Sequence, residues 1–152
     1  MAKFVPRRHP AKGVLIDRGR ATIVFATVCS EHRVRRLANA AVHDGLLRAW
    51  IDADAWIVGV YVIMPDHVHL FCSPIDENVL IEQWITFWKR RFRTHVGADV
   101  PLFQSGAFHH RLRQDESYAE KWDYVRANPV RAGLVQNTDE WPFAGVVNEL
   151  RM

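Results

Sequence analysis

Two apolar stretches joined by a Pro-Asp pair are the feature that most restricts how this chain can fold. The first, AWIVGVYVIM, covers residues 55–64, and the second, HVHLFCS, covers residues 67–73. β-Branched and aromatic residues favour strands, and Pro65-Asp66 is a turn signal. The pattern therefore predicts two neighbouring antiparallel strands that form a hairpin.

The remaining patterns predict a sheet covered by helices. RATIVFATVCS at 20–30 is another apolar, β-branched run, and FHHRLRQ at 108–114 fits a short fourth strand. Apolar residues at helical spacing predict three helices, over 33–51, 78–97 and 115–128. This order suits an α+β fold, a split β-α-β sandwich whose antiparallel sheet has helices packed on one face. We expect mostly loop and short turns after residue 129.

Length and charge are consistent with one globular domain. The chain has 152 residues, of which 49% are hydrophobic, so it is long enough to bury a sizeable core. We divide it into a basic N-terminal arm at 1–20, a single domain at 21–145 and a C-terminal tail at 146–152. The formal net charge of +3 is compatible with a nucleic-acid partner without requiring one.

Cysteine placement and the N-terminal residues predict the compartment. Cys29 and Cys72 lie inside apolar runs, which favours buried thiols in a reducing compartment over a disulfide. The N-terminal residues are charged and lack the apolar segment of a secretion signal. No stretch approaches the length of a membrane span. We therefore expect a cytoplasmic protein with no membrane partner.

His67 and His69 are candidate metal ligands. Residues two apart in a strand project from the same face, so these imidazoles lie side by side while Val68 points into the other layer. Neutral imidazole is the commonest metal ligand in proteins. Two ordinary histidines on a polar strand face remain the alternative. The third alternate position is Phe71, which argues against histidine-triad nucleotide hydrolases.

Tyr124 and Asn128 are the candidate partners of these histidines. Tyr118, Trp122 and Val125 form the apolar stripe of the last helix, and Tyr124 lies about 120° away from Tyr118 around the helix. Asn128 follows four residues after Tyr124 and so shares its face. A phenol beside a metal ion held by two imidazoles and an amide oxygen could attack a phosphate and form a covalent phosphotyrosine. A half-exposed surface tyrosine and an ordinary residue before Pro129 remain the alternatives.

Basic residues in three places are candidate phosphate contacts. The predicted second helix carries a basic run, the N-terminal arm carries a pair, and further arginines flank the candidate tyrosine. Such runs are also typical of solvated surfaces, whereas a polyanionic substrate would favour phosphate contact. The candidate DNA-binding residues are Arg7, Arg8, Lys89, Arg90, Arg91, Arg93, Arg126 and Arg131.

Two motifs together resemble a known family. YVIMPDHVHLF resembles the strand motif of the HUH single-tyrosine transposases. KWDYVRANPVRAGLV, followed by EWPFAG, resembles the subgroup of REP-associated tyrosine transposases. The resemblance covers about residues 14–145. It implies a ferredoxin-like antiparallel sheet with an extra C-terminal helix that carries the tyrosine.

The resemblance also implies an activity and a set of site residues. Such enzymes are metal-dependent single-stranded DNA endonucleases and strand transferases that act next to short palindromic hairpins through a covalent 5′-phosphotyrosine. His67, His69 and Asn128 match the ligands of a Mg²⁺ or Mn²⁺ ion, and Tyr124 matches the nucleophile. The expected partner is single-stranded DNA with hairpins, and the protein would act as a monomer or as a homodimer.

One position departs from the family pattern, and two other functions stay open. His110 stands where the family often has an aspartate, and this difference implies altered hydrogen bonding around the metal. An exposed polar residue on an edge strand is the alternative for His109 and His110. The main alternative function is a non-catalytic, hairpin-binding domain derived from a transposase. A metal-dependent phosphohydrolase acting on small nucleotides is a third class.

Overall fold

The computed structural model describes residues 22–113 and 116–151 of the chain. The strands are β1 Val24–Cys29, β2 Trp56–Ile63, β3 His67–Pro74, β4 Phe108–Arg111 and β5 Ala144–Val146. The helices are α1 Ala40–Asp52, α2 Ile81–His95, α3 Tyr118–Arg126 and α4 Asn128–Arg131. The strands form one antiparallel sheet in the order β4-β1-β3-β2-β5. The predicted α+β, ferredoxin-like architecture is confirmed.

The larger core lies between the sheet and the helices α1 and α2. Val68 and Leu70 of β3 point into it and are fully buried. Helix α2 contributes Trp84, Trp88 and Phe92, each exposed by 1% or less. These three positions are four residues apart, so their side chains form one apolar stripe against the sheet.

A second core covers the opposite face of the sheet. Phe71 of β3 packs there against Tyr118 of α3, with ring centroids 5.1 Å apart. Trp122 and Val125 continue the apolar stripe of α3, as predicted. Because α3 covers the face that α1 and α2 leave open, the sheet has a helix layer on each side. His67 and His69 project from the face that α3 covers.

A bulge in β2 changes which of its residues face each core. The pairing of β2 with β3 shifts register between Val58 and Tyr61. Trp56 and Val58 lie in the larger core, and beyond the shift Tyr61 lies in that core while Val60 lies in the second one. A bulge inserts one extra residue and reverses the alternation of the side chains after it.

Two elements in the C-terminal part of the chain differ from the expectation. Mostly loop was predicted after residue 129, but Ala144–Val146 forms the edge strand β5. The prediction that Asn128 shares one helix with Tyr124 is wrong, because α3 ends at Arg126 and Asn128 begins α4. Pro129 occupies the first turn of α4, where a missing N–H costs no hydrogen bond.

Some predictions fall outside what the structure describes. Arg7 and Arg8 belong to residues 1–21, which lie outside the described residues. The domain boundaries at 20 and 145 stay predictions. Within 22–113 and 116–151, no helix has the length and apolarity needed to span a bilayer. Cys29 and Cys72 are both buried and form no disulfide.

We expect Gly45→Ala to destabilise the protein by about 1–2 kcal/mol, although alanine is the better helix former. Gly45 lies in α1, and a Cβ there would come within 2.5 Å of Val96 Cγ1 and 3.1 Å of Phe92 Cε1. Thermal or urea unfolding measures the change. The matched variant Ala41→Gly, at an exposed position of α1, reports helix propensity alone. A more stable Gly45→Ala protein would show that the side chains of Val96 and Phe92 move away from the added methyl group at little cost.

A candidate metal and tyrosine site

The two imidazoles of β3 meet at their outer nitrogens. His67 Nε2 and His69 Nε2 are 3.1 Å apart, and the ring centroids are 4.6 Å apart. Phe25 of β1 stacks on the His69 ring at 5.2 Å and limits its rotation. The strand alternation predicted from the sequence therefore places both rings together on the α3 face.

The inner nitrogen of each ring has a partner that holds the ring in orientation. His67 Nδ1 donates to Asp66 Oδ1 at 2.7 Å, and His69 Nδ1 lies 2.8 Å from Thr27 Oγ1. Asp66 also pairs with Arg33, at 2.9 Å. Burial opposes ionisation of Asp66, but the hydrogen bonds from His67 and Arg33 lower the pKa of its carboxyl below the usual value. A carboxylate behind a ligating histidine is the usual support in metal sites.

Asp66 and Thr27 were not identified as site residues from the sequence. Asp66 was interpreted only as part of a turn, although its place immediately before His67 was a usable signal. Thr27 is paired opposite His69 across β1 and β3, which requires the strand register. No local pattern in the sequence contains that register.

His69 is in a form that can bind a metal ion. Burial, assisted by the neighbouring His67 and Arg131, lowers the pKa of His69 to about 4. Its imidazole is therefore uncharged at neutral pH. If His69 carries its proton on Nδ1, this N–H donates a hydrogen bond to the Thr27 oxygen. The Nε2 lone pairs of His67 and His69 are then both available to a cation.

The donor atoms fit a divalent ion. Ligand atoms about 2.1 Å from one ion and about 90–110° apart lie about 3.0–3.4 Å from each other, which matches the separation of the two Nε2 atoms. Among the described residues, no group of three His, Cys, Asp or Glu side chains is placed to hold a metal. A third protein ligand would therefore be of another type, and the amide oxygen of Asn128 is the predicted one.

A cavity of about 290 Å³ brings three of the predicted residues, His69, Tyr124 and Asn128, together within one chain. His69 lies at the sheet side of this cavity, while Tyr124 and Asn128 lie on the helical side. The Tyr124 side chain is 66% exposed, so the phenol is accessible to a large substrate. Further residues at the cavity are Phe25, Phe71, His110, Leu112, Lys121 and Val125. Their proximity permits the predicted roles, which stay predictions.

Arg131 contacts the two functional candidates of the helical side. Its Nη2 donates to Asn128 Oδ1. Its guanidinium carbon lies 3.9 Å from the centroid of the Tyr124 ring, within the range of a cation–π contact. Arg131 was predicted to contact DNA, and this position beside the phenol is compatible with a phosphate contact.

The two histidines of β4 point in opposite directions. His110 lies at the cavity with Tyr124, and its ring meets that of Phe25 at 5.9 Å. His109 faces the other layer, where its Nε2 lies 2.8 Å from Glu82 of α2. Of the two histidines of β4, His110 is therefore the one directed toward the candidate site.

The other predicted DNA-binding residues that the structure describes lie away from the cavity. The basic run of α2 belongs to the opposite helix layer. Lys89 donates to the carbonyl oxygens of Gln104 and Gly106, and Arg93 donates to those of Gly97, Val100 and Pro101. Arg91 pairs with Asp52 at 3.0 Å, and Arg90 lies over the Phe87 ring.

Arg126 lies at another cavity, of about 280 Å³, beside Trp141. Contact of these residues with DNA stays a prediction.

Curated proteins similar to this chain carry one family name. No protein-family profile matches the chain. The REP-associated tyrosine transposase of Escherichia coli (strain K12) is 27% identical over 88 residues, which cover 57% of this chain and 52% of that protein. A Haemophilus influenzae protein (strain ATCC 51907 / DSM 11121 / KW20 / Rd) of the same family name is 27% identical over 104 residues, covering 59% of this chain and 58% of that protein. The resemblance predicted from the motifs is thereby confirmed, and the chain spans a little over half the length of these relatives.

A solved structure shares the fold. It is the structure of a REP-associated tyrosine transposase bound to a REP hairpin, with a TM-score of 0.67 and 22% sequence identity. The match covers 95% of this chain and 82% of that chain. At this identity the likeness shows the fold.

Proposed function

We propose that this chain is a REP-associated tyrosine transposase that cleaves and rejoins single-stranded DNA beside a short hairpin. The observation that carries the proposal is the single cavity at which His69, Tyr124 and Asn128 meet. The names of the curated relatives and the hairpin bound to the structural neighbour support the same activity and substrate class.

Tyr124 is the proposed nucleophile. Its phenolic oxygen attacks the phosphorus of the scissile phosphate, and the bond from phosphorus to the 3′ oxygen of the upstream nucleotide breaks. The upstream strand leaves with a 3′ hydroxyl that takes up a proton, while the phenol loses one. The downstream strand stays attached as a 5′-phosphotyrosine, so a 3′ hydroxyl can later attack this linkage and rejoin the DNA.

His67, His69 and Asn128 are the proposed ligands of a Mg²⁺ or Mn²⁺ ion. When bound, such an ion supplies positive charge that stabilises the negative charge developing on the phosphate oxygens. Asp66 and Thr27 orient the two imidazoles from behind. Arg131 places a further positive charge beside Tyr124, where a scissile phosphate must come.

A labelled hairpin oligonucleotide tests this function. The label is placed at the 3′ end of a single-stranded flank, and the protein is incubated with the oligonucleotide and Mn²⁺. Denaturing gel electrophoresis should then show label that comigrates with the protein. Hairpin binding without an adduct or a cleaved product would instead support the non-catalytic binding domain. Cleavage of the oligonucleotide without any labelled protein at any time point would support a hydrolase.

We expect mixtures of two inactive variants to remain inactive. Tyr124 and His69 of the same chain share the cavity, so one chain contains every proposed part of the site. Tyr124→Phe would therefore be mixed with the double variant His67→Ala, His69→Ala, and adduct formation measured on the same gel. Restored adduct in the mixture would show that two chains exchange their tyrosine helices to build shared sites.

A further inference from the structure

Arg131 is the side chain that links the candidate nucleophile to the candidate third ligand. Arg131 lies three residues after Asn128 and donates a hydrogen bond to its amide oxygen. It also lies seven residues after Tyr124, and its guanidinium covers the Tyr124 ring. One guanidinium therefore contacts residues from both α3 and α4.

The hydrogen bond of Arg131 conflicts with metal binding. Asn128 Oδ1 is the only side-chain oxygen of Asn128, and it is the atom proposed to bind the ion. A guanidinium and a divalent cation both carry positive charge and repel each other at short distance. An ion bound by His67, His69 and Asn128 therefore requires Arg131 to withdraw from the amide oxygen.

We propose that Arg131 is a positioning residue that competes with the divalent ion for Asn128 Oδ1. Without the ion, the guanidinium donates a hydrogen bond to the amide oxygen and fixes the phenol ring by its cation–π contact. When the ion binds, the guanidinium is released and pairs with a phosphate oxygen of the DNA, for which its planar fork is well suited. This inference rests on the function proposed above.

The competition predicts coupling between metal and DNA. A hairpin oligonucleotide whose phosphate accepts the guanidinium stabilises the released position of Arg131 and so favours the ion. By linkage, the ion must then strengthen DNA binding by the same factor. Removal of Arg131 should eliminate most of this mutual effect, because the amide oxygen is then available with or without DNA.

The affinity of the full chain for Mn²⁺, measured without DNA, tests the inference. Electron paramagnetic resonance of free Mn²⁺ gives the dissociation constant directly. Arg131→Gln should bind Mn²⁺ about tenfold more tightly than the unmodified protein, since a hydrogen bond to a charged group no longer has to be broken. A side chain with a purely structural role would leave the affinity equal or weaker when removed.

Arg48→Gln is the matched control. Arg48 is exposed on α1, in the opposite layer, and pairs with Asp44 at 3.0 Å. This variant loses the same unit of charge far from the cavity, so it measures the effect of net charge alone. An equal gain of affinity in Arg48→Gln and Arg131→Gln would overturn the inference.

The histidine double variant separates the two proposals. If His67→Ala, His69→Ala binds no Mn²⁺ while Arg131→Gln binds it no better than the unmodified protein, the competition is refuted and the proposed metal site stands. If the double variant binds Mn²⁺ as well as the unmodified protein, or if neither the unmodified protein nor Arg131→Gln binds it, both proposals fail. Binding that appears only in Arg131→Gln supports both.

Discussion

Replacing Tyr124 by phenylalanine should abolish the covalent adduct with DNA and reduce strand cleavage by about 10⁴-fold or more. The substitution removes only the phenolic oxygen, which is the atom proposed to attack phosphorus. The ring remains, so its contact with Arg131 and the shape of the cavity are preserved. Because the side chain is 66% exposed, the stability of the fold should be nearly unchanged.

Tyr118→Phe is the control for this experiment. Tyr118 lies on the same helix but is directed into the second core, where its oxygen accepts a long hydrogen bond of 3.4 Å from Val60 N. Burial raises the pKa of this phenol to about 12. We expect adduct formation in Tyr118→Phe to remain within a few-fold of the unmodified protein. Adduct that persists in Tyr124→Phe would place the nucleophile elsewhere in the chain.

Removing both imidazoles should cost nearly as much activity. We expect His67→Ala, His69→Ala to lose Mn²⁺ binding and to cleave about 10³-fold more slowly or worse, because several kcal/mol of charge stabilisation are lost from the transition state. Hairpin binding, measured by fluorescence anisotropy at fixed salt, should weaken much less. Circular dichroism and the unfolding midpoint show whether the fold survives the loss of the stacking contact between Phe25 and His69.

His109→Ala is the matched histidine variant. His109 lies on β4 of the same sheet, but its side chain faces α2 and pairs there with Glu82. It should retain both Mn²⁺ affinity and cleavage. Equal loss in His109→Ala and in the double variant would mean that damage to the sheet, and not loss of ligands, accounts for the effect.

The strands and the faces of the sheet were predictable because they depend on local periodicity. Alternation along HVHLFCS places His67 and His69 on one face and Val68 on the other, and the structure has this arrangement. The stripe of α3 was predictable for the same reason, since Trp122 and Val125 follow helical spacing. Edge strand β5 was missed because three residues, Ala144–Val146, are too short to show a period.

Features that depend on contacts between distant segments could not be predicted from the sequence. Thr27 supports His69 across 42 positions of the chain, and only the strand register connects them. The basic run of α2 looks like a phosphate-binding surface in sequence, yet Lys89 and Arg93 bind backbone carbonyls of the segment that follows α2. Arg131 contacts Tyr124 across the break between α3 and α4 at Ala127. In one uninterrupted helix, these two residues would be separated by about two turns along the helix axis.

The bulge of β2 makes the length of this strand as important as its composition. Because a core covers each face of the sheet, nearly every residue of WIVGVYVI is apolar, and exchanges among apolar side chains of similar volume should be well tolerated there during evolution. Loss of a single residue has an effect that depends on its place. Loss of one residue between Val58 and Tyr61 would restore the regular pleat, with both residues still opposite Cys72 and Leu70. Loss of a residue elsewhere in the strand would turn the residues on one side of it toward the opposite core. Relatives of this chain should therefore vary in the length of this strand at the bulge and nowhere else.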